Sequence, residues 1–87
     1  MNKQDTFDPI LRKQRELFGL RMQQIRYEKK IKMDTIHIYT KLGENELYKV
    51  ERGTVSVSLN SMTKIFKVLG VTFDEFFHTK EFKQKIE

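Results

Sequence analysis

Residues 31–53 read Ile-Lys-Met-Asp-Thr-Ile-His-Ile-Tyr-Thr-Lys-Leu-Gly-Glu-Asn-Glu-Leu-Tyr-Lys-Val-Glu-Arg-Gly. The pattern predicts a helix, a tight turn and a second helix. Asp34 sits early in the first helix, residues 33–42, where negative charge suits the positive end of the helix dipole. Ile36, Tyr39 and Thr40 fall on one face, with Leu42 at the exit. Gly43 breaks the pattern. Glu44 to Arg52 forms the second helix, with Leu47 and Val50 at i, i+3 facing inward and Glu44 and Glu46 in the first turn. Gly53 is its C-terminal stop. Two short helices joined this way at a steep angle make a helix-turn-helix.

The flanks extend the helical reading. Asp8-Pro9 is a helix start: the Asp side chain accepts from orphan backbone donors, and Pro fits the first helical position. Ile10, Leu11, Leu17, Phe18, Met22 and Ile25 then recur at helical spacing, with Gly19 interrupting. Either one helix over 9–30 or a short helix followed by another from near Phe18 fits. Thr54-Val55-Ser56-Val57 alternates like a strand. Four residues without a partner make no sheet, so this is a loop. Ser58 caps the next helix, whose stripe is Leu59, Met62, Ile65, Phe66 and Leu69, and Gly70 ends it. Thr72 to Glu75 is a capping box opening a short helix through Phe76 and Phe77. The expected organisation is a frayed, flexible segment 1–8, an all-α domain 9–78 of five helices, and a helical extension or tail 79–87.

Composition narrows the chemistry. The chain has 87 residues, 17 Lys+Arg against 12 Asp+Glu, a net charge of +5 and no cysteine. That length carries one domain. The basic balance points to polyanions as partners. Disulfides, thiol chemistry and Cys-ligated zinc are excluded. The longest strictly apolar run is two residues, too short to span a membrane, and no apolar stretch follows the N-terminus as in a signal peptide. A soluble, cytoplasmic protein is expected. His37 and His78 lie 41 positions apart with no clustered carboxylates at ligand spacing, so neither a metal nor another cofactor is expected. With no Gly-rich phosphate loop and no defensible Ser-His-Asp set, the reading is of a non-enzyme with no small-molecule substrate.

Val50-Glu51-Arg52-Gly53 resembles the Ile-Glu-Arg-Gly signature of the Cro/phage-repressor type, or XRE-like, helix-turn-helix family. The match continues on both sides, over roughly residues 18–77. Phe18-Gly19, Met22, Ile25 and Arg26 resemble its first helix. Ile31, Ile36 and Leu42 fall on apolar positions of its second helix and turn. Ser58-Leu59, Met62, Leu69-Gly70-Val71 and Asp74-Glu75-Phe76 resemble its fourth and fifth helices. The resemblance implies a compact five-helix lambda-repressor-like domain and a DNA-binding transcriptional regulator, bacterial or phage. A homodimeric repressor is the simplest form, with residues 44–52 as recognition helix in the major groove.

By matching position, the resemblance implies base contacts from Glu44, Asn45, Tyr48 and Lys49. It implies phosphate contacts from Arg52, Thr54, Ser56 and Asn60, to which the basic run before the motif adds Lys32. Arg26 and Glu51 match a structural ion pair. Asn pairs bidentately with adenine, and Lys with guanine or phosphate. Each also has a plainer role as a solvated polar group on a helix.

Three departures stand out: Met33 replaces a phosphate-binding Gln, His37 a small residue, and Lys41 the turn glycine. Residues 33–53 carry a net charge of −1 while residues 1–32 carry +5. The N-terminal third is therefore expected to supply much of the phosphate attraction. Phe73, Phe76, Phe77 and Phe82 exceed what one short helix buries. Phe73, Phe77 and Phe82 are accordingly expected at a dimer interface. The rival reading is a protein-interaction module on the same scaffold, antitoxin-like or regulator-binding.

Overall fold

Asp8 opens the first helix as expected: its carboxylate accepts from the backbone N–H groups of Ile10 at 2.9 Å and Leu11 at 3.4 Å. The computed structural model describes residues 8–83, so the expectation of fraying over residues 1–7 lies outside the described residues. Among the described residues five helices follow in order: α1 Pro9–Glu28, α2 Met33–Thr40, α3 Glu44–Arg52, α4 Leu59–Leu69 and α5 Phe73–Phe77. The fold is all-α, and residues 54–57 form a loop among the described residues.

Local chemistry sets most boundaries. Ser58 Oγ accepts from the Ser61 N–H at 3.1 Å and starts α4. Thr72 and Glu75 complete a reciprocal capping box at 3.0 and 2.9 Å, which starts α5. The Thr72 backbone N–H, followed by its side chain, holds the Glu75 carboxyl below the usual carboxylate range. Gly53 and Gly70 end α3 and α4 in the left-handed region, at φ 75° and 71°.

Of the two readings of residues 9–30 the single helix holds, because α1 runs unbroken through Gly19 for 20 residues. Several expectations are corrected. The left-handed residue in the turn after α2 is Lys41, at φ 62°, and Gly43 is an extended N-cap instead. Tyr39 and Leu59, read as inward, are 75% and 70% exposed. Each sits in the end turn of its helix. Residues 79–83 are turns and do not prolong α5; residues 84–87 lie outside the described residues.

The core draws on every helix. Met22, Ile36, Leu47, Ile65 and Phe76 are fully buried, with Phe18, Ile25, Met33, Val50, Phe66 and Leu69 nearly so. Phenylalanines fill one side, where Phe66 stacks on Phe76 at 4.3 Å and Phe18 tilts against Phe76 at 4.8 Å. Offset and tilted ring pairs add about 1 kcal/mol each beyond the burial of their area. α3 packs on α1, while α2 packs on α3 and α4.

Candidate nucleic-acid interface

α3 has two chemically distinct faces. Leu47 and Val50 are buried beneath it. Glu44, Asn45, Glu46, Lys49 and Arg52 are exposed, and Tyr48 is 41% exposed. Glu44 and Glu46 sit over the positive helix end and Lys49 and Arg52 over the negative one, as the dipole favours.

Three contacts fix α3 against α1. At Gly19 the backbones meet: a β-carbon there would lie 2.7 Å from the Val50 carbonyl oxygen and nearer still to that of Glu51. At Gly53, besides its positive φ, a β-carbon would lie 2.7 Å from Glu16 Cα. Further along α1, Arg26 grips Glu51 with two parallel bonds, Nε to Oε2 at 2.7 Å and Nη2 to Oε1 at 3.0 Å. The two side chains are only 11% and 5% exposed. The Glu51 hydrogen bond and charge hold the Arg26 guanidinium above its ordinary value, against the opposing effect of burial. Arg26 Nη1 also donates to the Ile31 carbonyl at 3.3 Å, and its guanidinium lies 4.8 Å from the Tyr27 ring centre. One side chain thus ties together α1, the turn before α2 and the end of α3.

The turn between α2 and α3 is closed by side chains. Thr40 Oγ1 donates to the Ile36 carbonyl at 2.6 Å and accepts from the Leu42 N–H at 3.1 Å. His37 Nδ1 lies 2.6 Å from the Leu42 carbonyl oxygen, so this half-buried histidine stiffens the turn. Met33 is buried in the core, which accounts for an apolar side chain at that position.

The remaining expected contact residues divide in two. Lys32, Ser56 and Asn60 are exposed. Thr54 is exposed, but its hydroxyl donates to the Lys49 carbonyl at 3.1 Å and closes the end of α3. Phe73 is 40% exposed, while Phe77 and Phe82 are half-buried against the core and 5.0 Å apart. Phe77 and Phe82 line, with Leu11, Phe18 and Met62, an open groove of about 420 Å³.

Part of the basic excess of residues 1–32 is engaged by the protein's own groups. Arg21 donates to the Phe76 carbonyl at 2.8 Å and the Glu75 carbonyl at 3.0 Å, closing the end of α5. Lys29 Nζ donates to the Leu69 carbonyl at 2.8 Å, closing the end of α4. Arg26 is neutralised by Glu51, and Arg12 lies 3.8 Å from Glu16. Sequence reading missed Arg21, Lys29 and the packing role of Gly19 because each partner lies 30 to 55 positions away, with no local signal.

No helix among the described residues is long and apolar enough to cross a membrane. Comparison with family models, curated proteins and solved structures gives no match.

Proposed function

We propose that this chain is a lambda-repressor-like helix-turn-helix domain of the Cro/phage-repressor type, which binds double-stranded DNA as a homodimer and regulates transcription. The reading rests above all on α3: a short helix with a polar outward face, locked to α1 through Gly19, Gly53 and the Arg26–Glu51 pair. A groove-reading helix needs this rigidity, because bidentate base contacts tolerate little misplacement. In this proposal Asn45 reads adenine, Lys49 reads guanine, Tyr48 packs on a thymine methyl and Glu44 accepts from cytosine N4. Lys32, Arg52, Ser56 and Asn60 meet phosphates. Thr54 joins them only by giving up its bond to Lys49. Phe73 and the groove beside Phe77 and Phe82 form the dimer contact.

A second reading, a protein-interaction module, is favoured by the exposed apolar residues Ile38 and Tyr39 on α2, at 59% and 75%, beside the acidic start of α3.

The two part in a fluorescence anisotropy titration against random duplex DNA over a salt series, with Asn45→Ala and Lys49→Ala beside wild type. DNA binding predicts micromolar affinity or better that falls steeply with salt. Absence of binding at roughly 50 mM salt, where non-specific affinity is strongest, refutes it in favour of a protein partner.

A further inference from the structure

The sequence from Arg52 to Phe73 contains three basic residues, Arg52, Lys64 and Lys67, and no acidic one. Totals taken over the whole C-terminal third hide this, because its acids all follow residue 73. α4 occupies the middle of this stretch. Its core side is Ile65, Phe66 and Leu69, and its outward side is Asn60, Thr63, Lys64 and Lys67, all exposed. Asn60, Lys64 and Lys67 stand at i, i+4 and i+7, a stripe about 10 Å long. Among the described residues neither Lys64 nor Lys67 makes an ion pair. They contrast with Arg21 and Arg26 of α1 and Lys29 just after it, whose charged groups are held by the protein's own carbonyls and carboxylate.

We propose that the outward face of α4 is a second contact with duplex DNA, in which Lys64 and Lys67 bind backbone phosphates flanking the bases met by α3. The inference rests on the DNA-binding reading above and extends it along α4 from Asn60 to Lys64 and Lys67. Its ground is charge complementarity. An acid-free face with two uncommitted ammonium groups one turn apart fits a surface with regularly spaced anionic oxygens. The first turn of α3, with Glu44 and Glu46, repels that same surface. The phosphate attraction is thereby displaced from the start of α3 toward α4.

The test is the salt dependence of binding to a random-sequence duplex. Wild type is compared with a Lys64→Gln/Lys67→Gln variant and with a charge-matched Lys80→Gln/Lys83→Gln variant, all in the full chain. Each phosphate neutralised adds about 0.9 to the log–log slope. The α4 variant should therefore lose about 1.8 in slope, or roughly 60-fold in affinity at 0.1 M salt if the curves meet at 1 M. The control pair should stay within about half a unit of wild type. A wild-type slope for the α4 variant overturns the inference and leaves DNA binding standing. Equal losses in both variants also overturn it, because net charge rather than this face would then govern. Absence of wild-type binding at low salt overturns both readings. Both lysines are exposed, so unchanged melting temperatures confirm that the comparison is between folded proteins.

Discussion

Gly19→Ala should destabilise this protein even though alanine is the better helix former. Gly19 lies inside α1, where helix propensity alone favours alanine by about 1 kcal/mol. The structure opposes this gain. The new β-carbon would lie 2.7 Å from the Val50 carbonyl oxygen and closer to that of Glu51, where about 3.4 Å or more is ordinary contact. The obstacle is backbone, so no rotamer change relieves it; α3 must shift as a body. Overpacking costs about 1–3 kcal/mol, and an immovable neighbour puts this site near the top of that range. The net loss is about 2 kcal/mol. At roughly 4–8 °C per kcal/mol in a domain of this size, the melting temperature should fall by about 8–16 °C. Thermal melts followed by circular dichroism at 222 nm measure this directly. Gln14→Ala, at an exposed position of the same helix, is the control and should stay within about 0.5 kcal/mol of wild type. A Gly19→Ala protein that melts within about 3 °C of wild type, or above it, would refute the close approach of α1 and α3.

Arg26→Met should cost about 3 kcal/mol, because it strands the buried Glu51 carboxylate; adding Glu51→Leu should recover most of that loss in chemical denaturation. Lys41→Gly should raise the melting temperature by a few degrees. It relieves about 1 kcal/mol of left-handed strain at φ 62°, partly offset by a more flexible unfolded chain, and a lower melting temperature contradicts this. The folded pKa of Glu75 is depressed, so its cap contributes stability above the unfolded value and loses it as pH falls through the folded one. Wild type should therefore exceed Glu75→Gln in urea melts at pH 7, and the two should converge in acid below the usual carboxylate range; a pH-independent gap argues against an ionised cap. Asn45→Ala should weaken binding to a selected operator more than to random duplex, and equal losses on both would make Asn45 a backbone contact.

Local patterns carried much of the fold. Asp8-Pro9, Ser58 and the Thr72–Glu75 box are caps in the structure as in the sequence, because capping joins residues within three positions. Leu47 and Val50 are buried as their spacing predicts, and the Arg26–Glu51 pairing is present as the resemblance implied. Tyr39 and Leu59 were misread because periodicity assigns a face without knowing where the neighbouring element ends. Lys64 and Lys67 of the α4 face are hidden in totals along the chain, whereas a partner meets charge over a surface.

By itself, the sequence determined the all-α class, most of the helix boundaries and the polar outward side of α3, since each depends on residues within a turn or two of one another. The tertiary structure decided what Gly19 is for, which basic residues are spent on the protein's own carbonyls, and how the aromatic cluster divides between core and surface. Those outcomes depend on which helices meet, and residues 30 to 55 positions apart meet only when the whole core has packed.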